Sequence, residues 1–130
     1  MAGNIRNKRA AVTGLGIVSC LGNDVLSVAQ ALKEGRSGII CDQERRERGF
    51  KSPLTSVIKD FSPKEKGMNR KSLRTMCEPA QYSFAAAVDA VADAGLKEAD
   101  IRTDRCGIIF GNDSTIRAGV EAVDTARKYN

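Results

Sequence analysis

Histidine is absent from these 130 residues, and so is tryptophan. The first absence removes the side chain most used as a general base near neutral pH and one of the two usual zinc ligands. The four cysteines, Cys20, Cys41, Cys77 and Cys106, stand far apart with no C-x-x-C pair, so no metal site is expected and the thiols read as reduced and mostly buried. The second absence, with aromatics at only 5%, leaves no row of rings on which nucleotide bases could stack. No apolar run approaches the ~18 residues of a membrane helix, and the opening MAGNIRNKR has no hydrophobic segment of the signal-peptide kind. Neither membrane insertion nor secretion is indicated, and a cytoplasmic protein is expected.

What is present is a 42% hydrophobic content suited to one modest α/β core packed by Ala, Val and Leu, together with a net charge of +5. A positive field attracts nucleic acid, anionic membrane and acidic protein alike, so only the placement of the cations can choose. Lys8, Arg9 and the run Arg70 to Arg74 are too few and too separated for a nucleic-acid stripe.

The chain is organised around Arg9 to Gly22, RAAVTGLGIVSCLG. Ala10 to Val12 reads as a short buried strand, and Gly14 and Gly16 permit both unusual backbone angles and close approach by a neighbour. Asn23 and Asp24 then start a helix over Asp24 to Glu34, with an apolar stripe at Val25, Val28, Ala29 and Leu32 and a stop at Gly35. The mixed charges of residues 41–48 suit a solvated face. Residues 49–66, with Pro53 and Pro63, read as a surface excursion holding at most one edge strand.

Arg70 to Met76 suits a short helix, and Pro79 the first turn of the next. That next helix spans Ala80 to Ala94, with Tyr82, Phe84, Val88, Val91 and Ala92 as its apolar stripe and Gly95 as terminator. On this reading Val88 is core, and an Asp there should be severely destabilising. Residues 97–104 read as polar loop, and Gly107 to Phe110 as a second buried strand. A final helix starts at Asp113 or Ser114, with Ile116, Val120, Val123 and Ala126 as its apolar stripe. Two strands joined by helices imply a parallel pair with a right-handed crossover, and such a pair cannot bury its faces alone. Either residues 51–61 contribute more strand than their pattern suggests, or sequence after Asn130 completes the sheet.

Several strings carry a family resemblance: Val12 to Ser19 (VTGLGIVS), Gly35 to Ile39 (GRSGI), Arg70 to Met76 (RKSLRTM), Ala90 to Leu96 (AVADAGL) and Arg105 to Gly111 (RCGIIFG). Together they resemble the amino-terminal part of the β-ketoacyl-[acyl carrier protein] synthases, the condensing enzymes of fatty acid and polyketide synthesis. The resemblance implies a thiolase-like α/β fold, of which residues 1–130 would be the amino-terminal part of a layered α/β/α half with parallel strands. It implies decarboxylative Claisen condensation, no cofactor, a homodimer when complete, and acyl carrier protein as partner.

The family's chemistry needs a cysteine at a helix amino terminus, where the thiolate and the oxyanion are stabilised, and two histidines. None of the four cysteines lies in an A-C-A-like turn, and there is no histidine. No catalytic residue is therefore assigned here, and the resemblance puts all three after the corresponding part of the chain. Where the family commonly has a G-S-G segment lining the acyl pocket, this chain has Gly111-Asn112-Asp113-Ser114. Ser114 is a candidate for that lining, although a helix cap would explain it equally well.

Two other classes compete. A dinucleotide-binding domain would also place a glycine turn between strand and helix, but Ser19 occupies the third glycine's place and no acidic residue ends a second strand about 20 residues on. A basic binding module lacks a contiguous cationic stripe. The remaining feature is Arg70-Lys71-Ser72-Leu73-Arg74, which on a helix sets Arg70 and Arg74 one turn apart with Lys71 beside them and Leu73 inward. Charge alone suits a solvated face, with a cation paired to Glu65 or Glu78. The resemblance implies that Arg70, Lys71 and Arg74 receive the acidic helix of acyl carrier protein.

Overall fold

The computed structural model describes residues 9–112 together with 120, 123, 124, 127 and 128. In chain order its elements are helix α1 (Val25–Lys33), strand β1 (Ile39–Cys41), helix α2 (Gln43–Glu47), strand β2 (Leu54–Ser56), and helices α3 (Arg70–Leu73), α4 (Glu78–Asp93) and α5 (Glu98–Ile101). Residues 120, 123, 124, 127 and 128 are helical as well. The expected start of that last helix at Asp113 or Ser114 lies outside the described residues.

Both long helices begin and end where local chemistry directs. The Asp24 carboxylate accepts from Ser27 N at 2.8 Å and from Ser27 Oγ at 2.6 Å, satisfying a donor that the first turn leaves open. Gly35 and Gly95 close α1 and α4 at φ of 65° and 66°, a region that favours glycine. Pro79 sits in the first turn of α4, where a missing N–H costs little. Residues 97–104, expected as loop, instead contain α5, whose first turn is held by Lys97 N donating to Asp100 Oδ2 at 2.8 Å.

The two helices bury different faces from those that apolar size suggests. In α1 the buried residues are Val28 and Ala31, while Leu32 is exposed. In α4 the fully buried residue is Ala85, and Phe84 and Val88 stand open to solvent. The cause lies in what α4 packs against. A side-chain carbon on Gly16 would stand 1.9 Å from the Ala86 carbonyl oxygen, and one on Gly14 would stand 2.3 Å from the Ala90 carbonyl oxygen and 2.8 Å from the Ala94 methyl. Residues 14–16 thus lie backbone to backbone along the stripe Ala86, Ala90 and Ala94, which recurs every fourth residue and so forms one face. Such proximity tolerates only glycine on one side and methyl groups on the other. Leu15 N also donates to Asp93 Oδ2 at 2.8 Å. Neither Gly14 nor Gly16 has a positive φ, so close approach is what requires glycine here.

The segments expected as parallel strands, Ala10 to Val12 and Gly107 to Phe110, are not paired. Among the described residues the one sheet is the antiparallel pair β1–β2, with Ile39 opposite Ser56, Ile40 opposite Thr55 and Cys41 opposite Leu54. Val12 is 81% exposed and Ile109 98%. A strand is defined by the neighbour it hydrogen-bonds to, and no neighbouring strand is available to either segment among the described residues. The edge strand expected within residues 49–66 is present as β2, and its partner β1 follows directly from the GRSGI string.

Candidate functional site

The cationic run forms a single helical turn. Asn69 caps it, its Oδ1 accepting from Ser72 N at 2.9 Å and from Ser72 Oγ at 3.2 Å, and Thr75 Oγ1 donates to the Ser72 carbonyl at 3.1 Å beyond its end. Arg70, Lys71 and Arg74 are exposed, whereas Ser72 and Leu73 are half-buried. All three cations are thus open to solvent. Among the described residues Arg70 and Lys71 make no ion pair. Glu78, one of the expected counter-ions, accepts the Tyr82 hydroxyl. Burial of the phenol, with the adjoining Glu78 charge, pushes Tyr82 up to about 12.

The segment leading into the turn, residues 61–68, is tied to α4 by residues whose pattern gave no warning of it. Met68, immediately before the cap, is buried, and its N–H donates to the Pro63 carbonyl at 3.2 Å. Lys66 Nζ reaches both oxygens of Asp89 at 2.8 and 2.6 Å, with each side chain about a quarter exposed. The Phe61 and Tyr82 rings meet edge to face at 4.8 Å. On the far side, Gln81 Nε2 donates to the Met76 carbonyl at 3.1 Å. An apolar groove of about 700 Å³ is lined by Met76, Ala80, Phe84, Val88, Ile108 and Phe110 among others.

The cysteines stay apart. All four are free thiols, Cys20 and Cys77 half-buried, Cys41 and Cys106 exposed, so the expectation of mostly buried thiols is corrected: β1 and residues 104–112 are open to solvent on the side where Cys41 and Cys106 lie. Cys20 sits in the tight turn closed by Ser19 N to Gly22 O at 2.9 Å. Cys77 is the N-cap of α4 but makes no side-chain capping bond. Ser114 lies outside the described residues. A second, more polar groove of about 980 Å³ runs past Cys20, Asn23, Arg36 and Lys59. Gly14 and Gly16 offer no cradle for a pyrophosphate, because the α4 backbone occupies the space in front of them. Among the described residues no helix is long and apolar enough to cross a membrane.

Comparison with known proteins bears on the same residues. The family model described as β-ketoacyl synthase, N-terminal domain, matches residues 7–130. The 3-oxoacyl-[acyl-carrier-protein] synthase 1 of Escherichia coli K12 is 41% identical over 107 residues, 81% of this chain and 26% of that protein. The synthase 1 of Haemophilus influenzae is 36% identical over 80% of this chain and 25% of its own length. The synthase 2 of Vibrio harveyi is 35% identical over 81% of this chain and 25% of its own. The chain belongs to the β-ketoacyl synthase family, in its amino-terminal domain. It spans about a quarter of the length of the curated relatives it matches.

Proposed function

We propose that these residues are the amino-terminal part of a β-ketoacyl-[acyl carrier protein] synthase, an acyltransferase that elongates acyl chains in fatty acid or polyketide synthesis. The observation that carries this reading is the family match across residues 7–130, together with relatives named as 3-oxoacyl-[acyl-carrier-protein] synthases. In the reaction a malonyl thioester loses carbon dioxide, and the resulting carbanion attacks an acyl thioester held on an enzyme cysteine. The carbon–carbon bond forms as the cysteine thiolate leaves. With no histidine in the chain, the nucleophile and its two histidines come from outside these 130 residues.

On this reading the chain contributes scaffold and recognition. Arg70, Lys71 and Arg74 receive the acidic helix of acyl carrier protein, Ser114 lines the acyl pocket, and the exposed segments 10–12 and 107–110 become parallel strands of a thiolase-like sheet within a cytoplasmic homodimer. The support for the docking role is that the three cations are exposed on a turn capped by Asn69.

The test is direct. The full-length protein is incubated with acyl and malonyl carrier protein, and the carrier is analysed by mass. A β-ketoacyl carrier product is expected, and an unchanged carrier pool would contradict the assignment. The 130-residue chain alone, incubated with an acyl thioester, should acquire no specific adduct. A stoichiometric adduct abolished by replacing Cys77 would reverse the conclusion that catalysis lies elsewhere.

A further inference from the structure

We infer that Asn69 is a positioning residue for carrier recognition: it holds the Arg70-Lys71-Arg74 turn in the geometry in which its charges can act together. The inference rests on the docking role proposed above. A helix of four residues such as α3 has no stability of its own, because fixing its first turn costs more than the few hydrogen bonds it gains. Its shape must come from its ends. At the amino end two things converge. Met68 is buried and fixes where the chain enters, and the Asn69 side chain then takes both the N–H and the hydroxyl of Ser72. At the other end Thr75 Oγ1 and Thr75 N both donate to the Ser72 carbonyl. Ser72 is thus gripped from both sides, and Arg70 and Lys71 lie between Asn69 and it, with Arg74 as the C-cap.

Without the cap oxygen, residues 70–74 can fray into extended conformers in which Arg70 and Arg74 no longer share a side. Long-range attraction by the net charge survives fraying, whereas simultaneous contact with one acidic helix does not. Asn69 touches neither substrate nor reacting atoms, so its influence should appear only when a carrier protein is the substrate.

The experiment uses the full-length synthase and compares Asn69→Ala, Asn69→Ser and the charge reversal Arg70→Glu/Lys71→Glu/Arg74→Glu. Steady-state kinetics are measured with acyl carrier protein and with a small carrier-free thioester. Asn69→Ala should raise KM for the carrier substrate about three-fold, with kcat and carrier-free turnover unchanged, as expected when the competent conformer becomes less populated. Serine can cap equally well, so Asn69→Ser should restore KM. If Asn69→Ala leaves KM unchanged while the charge reversal raises it, the positioning role is wrong and the docking role stands. If the charge reversal also leaves KM unchanged, the docking role falls and this inference with it. Parallel loss with both substrates would make Asn69 a general folding residue and overturn the inference.

Discussion

Residues 14–16 and residues 107–110 carry the same kind of sequence, a short apolar run with glycine, and they end in opposite situations. The first lies against α4 so closely that a single added methyl would enter the helix backbone. The second stands open, with Ile109 98% exposed and nothing within 4 Å of where a Gly107 side chain would begin. The difference is where each partner resides. The glycine segment's partner, the alanine face of α4, lies within the described chain. The partner of an apolar β-segment is another strand, and among the described residues none is beside it. Hydrophobicity states that a segment wants cover; only a second surface of matching shape decides whether it has it.

The sharpest way to break this comparison is to add a side chain at each glycine. Gly16→Val should destabilise by at least about 3 kcal/mol, since overpacking against backbone cannot be relieved by moving a side chain. Gly107→Val, by contrast, should change stability by less than about 0.5 kcal/mol in this chain. Thermal unfolding of the two variants measures the contrast. Equal melting temperatures would show that residues 14–16 do not pack as described.

A smaller effect is expected from the ion pair that ties residues 61–69 to α4. Asp89→Ala should cost about 1 kcal/mol, because the pair is only partly desolvated. It should also loosen α3, visible as faster amide exchange at Leu73 and Thr75, whose N–H groups bond within that turn. Unchanged exchange there would disconnect the pair from the cationic turn. Smaller again is Val88→Asp. At 38% exposure the new carboxylate keeps access to water, so the loss should stay within about 1 kcal/mol, where the sequence alone foretold a severe one.

The smallest change concerns acid. Hydrogen bonds from Ser27 hold the Asp24 carboxyl below its ordinary value of 3.8. The folded-state value is thus below the unfolded one, so this contribution is complete above about pH 4 and is lost as pH falls through the folded value. Melting temperature followed on acidification should decline less steeply in Asp24→Ala than in the parent. Identical slopes would remove Asp24 as an acid-sensitive cap.

The legible parts of the sequence were those encoded by neighbours in the chain. Asp24 and Gly35 mark the limits of α1, and Pro79 and Gly95 those of α4; in each case the determining contact spans four residues or fewer. The Ala86, Ala90 and Ala94 face was hidden because apolar periodicity weights large side chains, and Phe84 and Val88 outvoted it. Glycines 14 and 16, read beside an alanine repeat of four, carried the signal that could have found it. Lys66–Asp89 and Phe61–Tyr82 join residues about twenty apart through the fold, and no local pattern announces them. Asn69 was readable as a cap directly before the cationic run, three residues ahead of Ser72.

The central claim is that the outward cations of α3 serve an acidic carrier, and the most direct measurement is carrier binding by the full-length synthase as a function of salt. Parent enzyme should bind acyl carrier protein more weakly as ionic strength rises, because such contacts are screened over about 8 Å at physiological salt. The Arg70→Glu/Lys71→Glu/Arg74→Glu variant should bind weakly at low salt, with little further salt dependence and with carrier-free turnover retained. Carrier affinity and salt dependence equal to the parent's would contradict the claim.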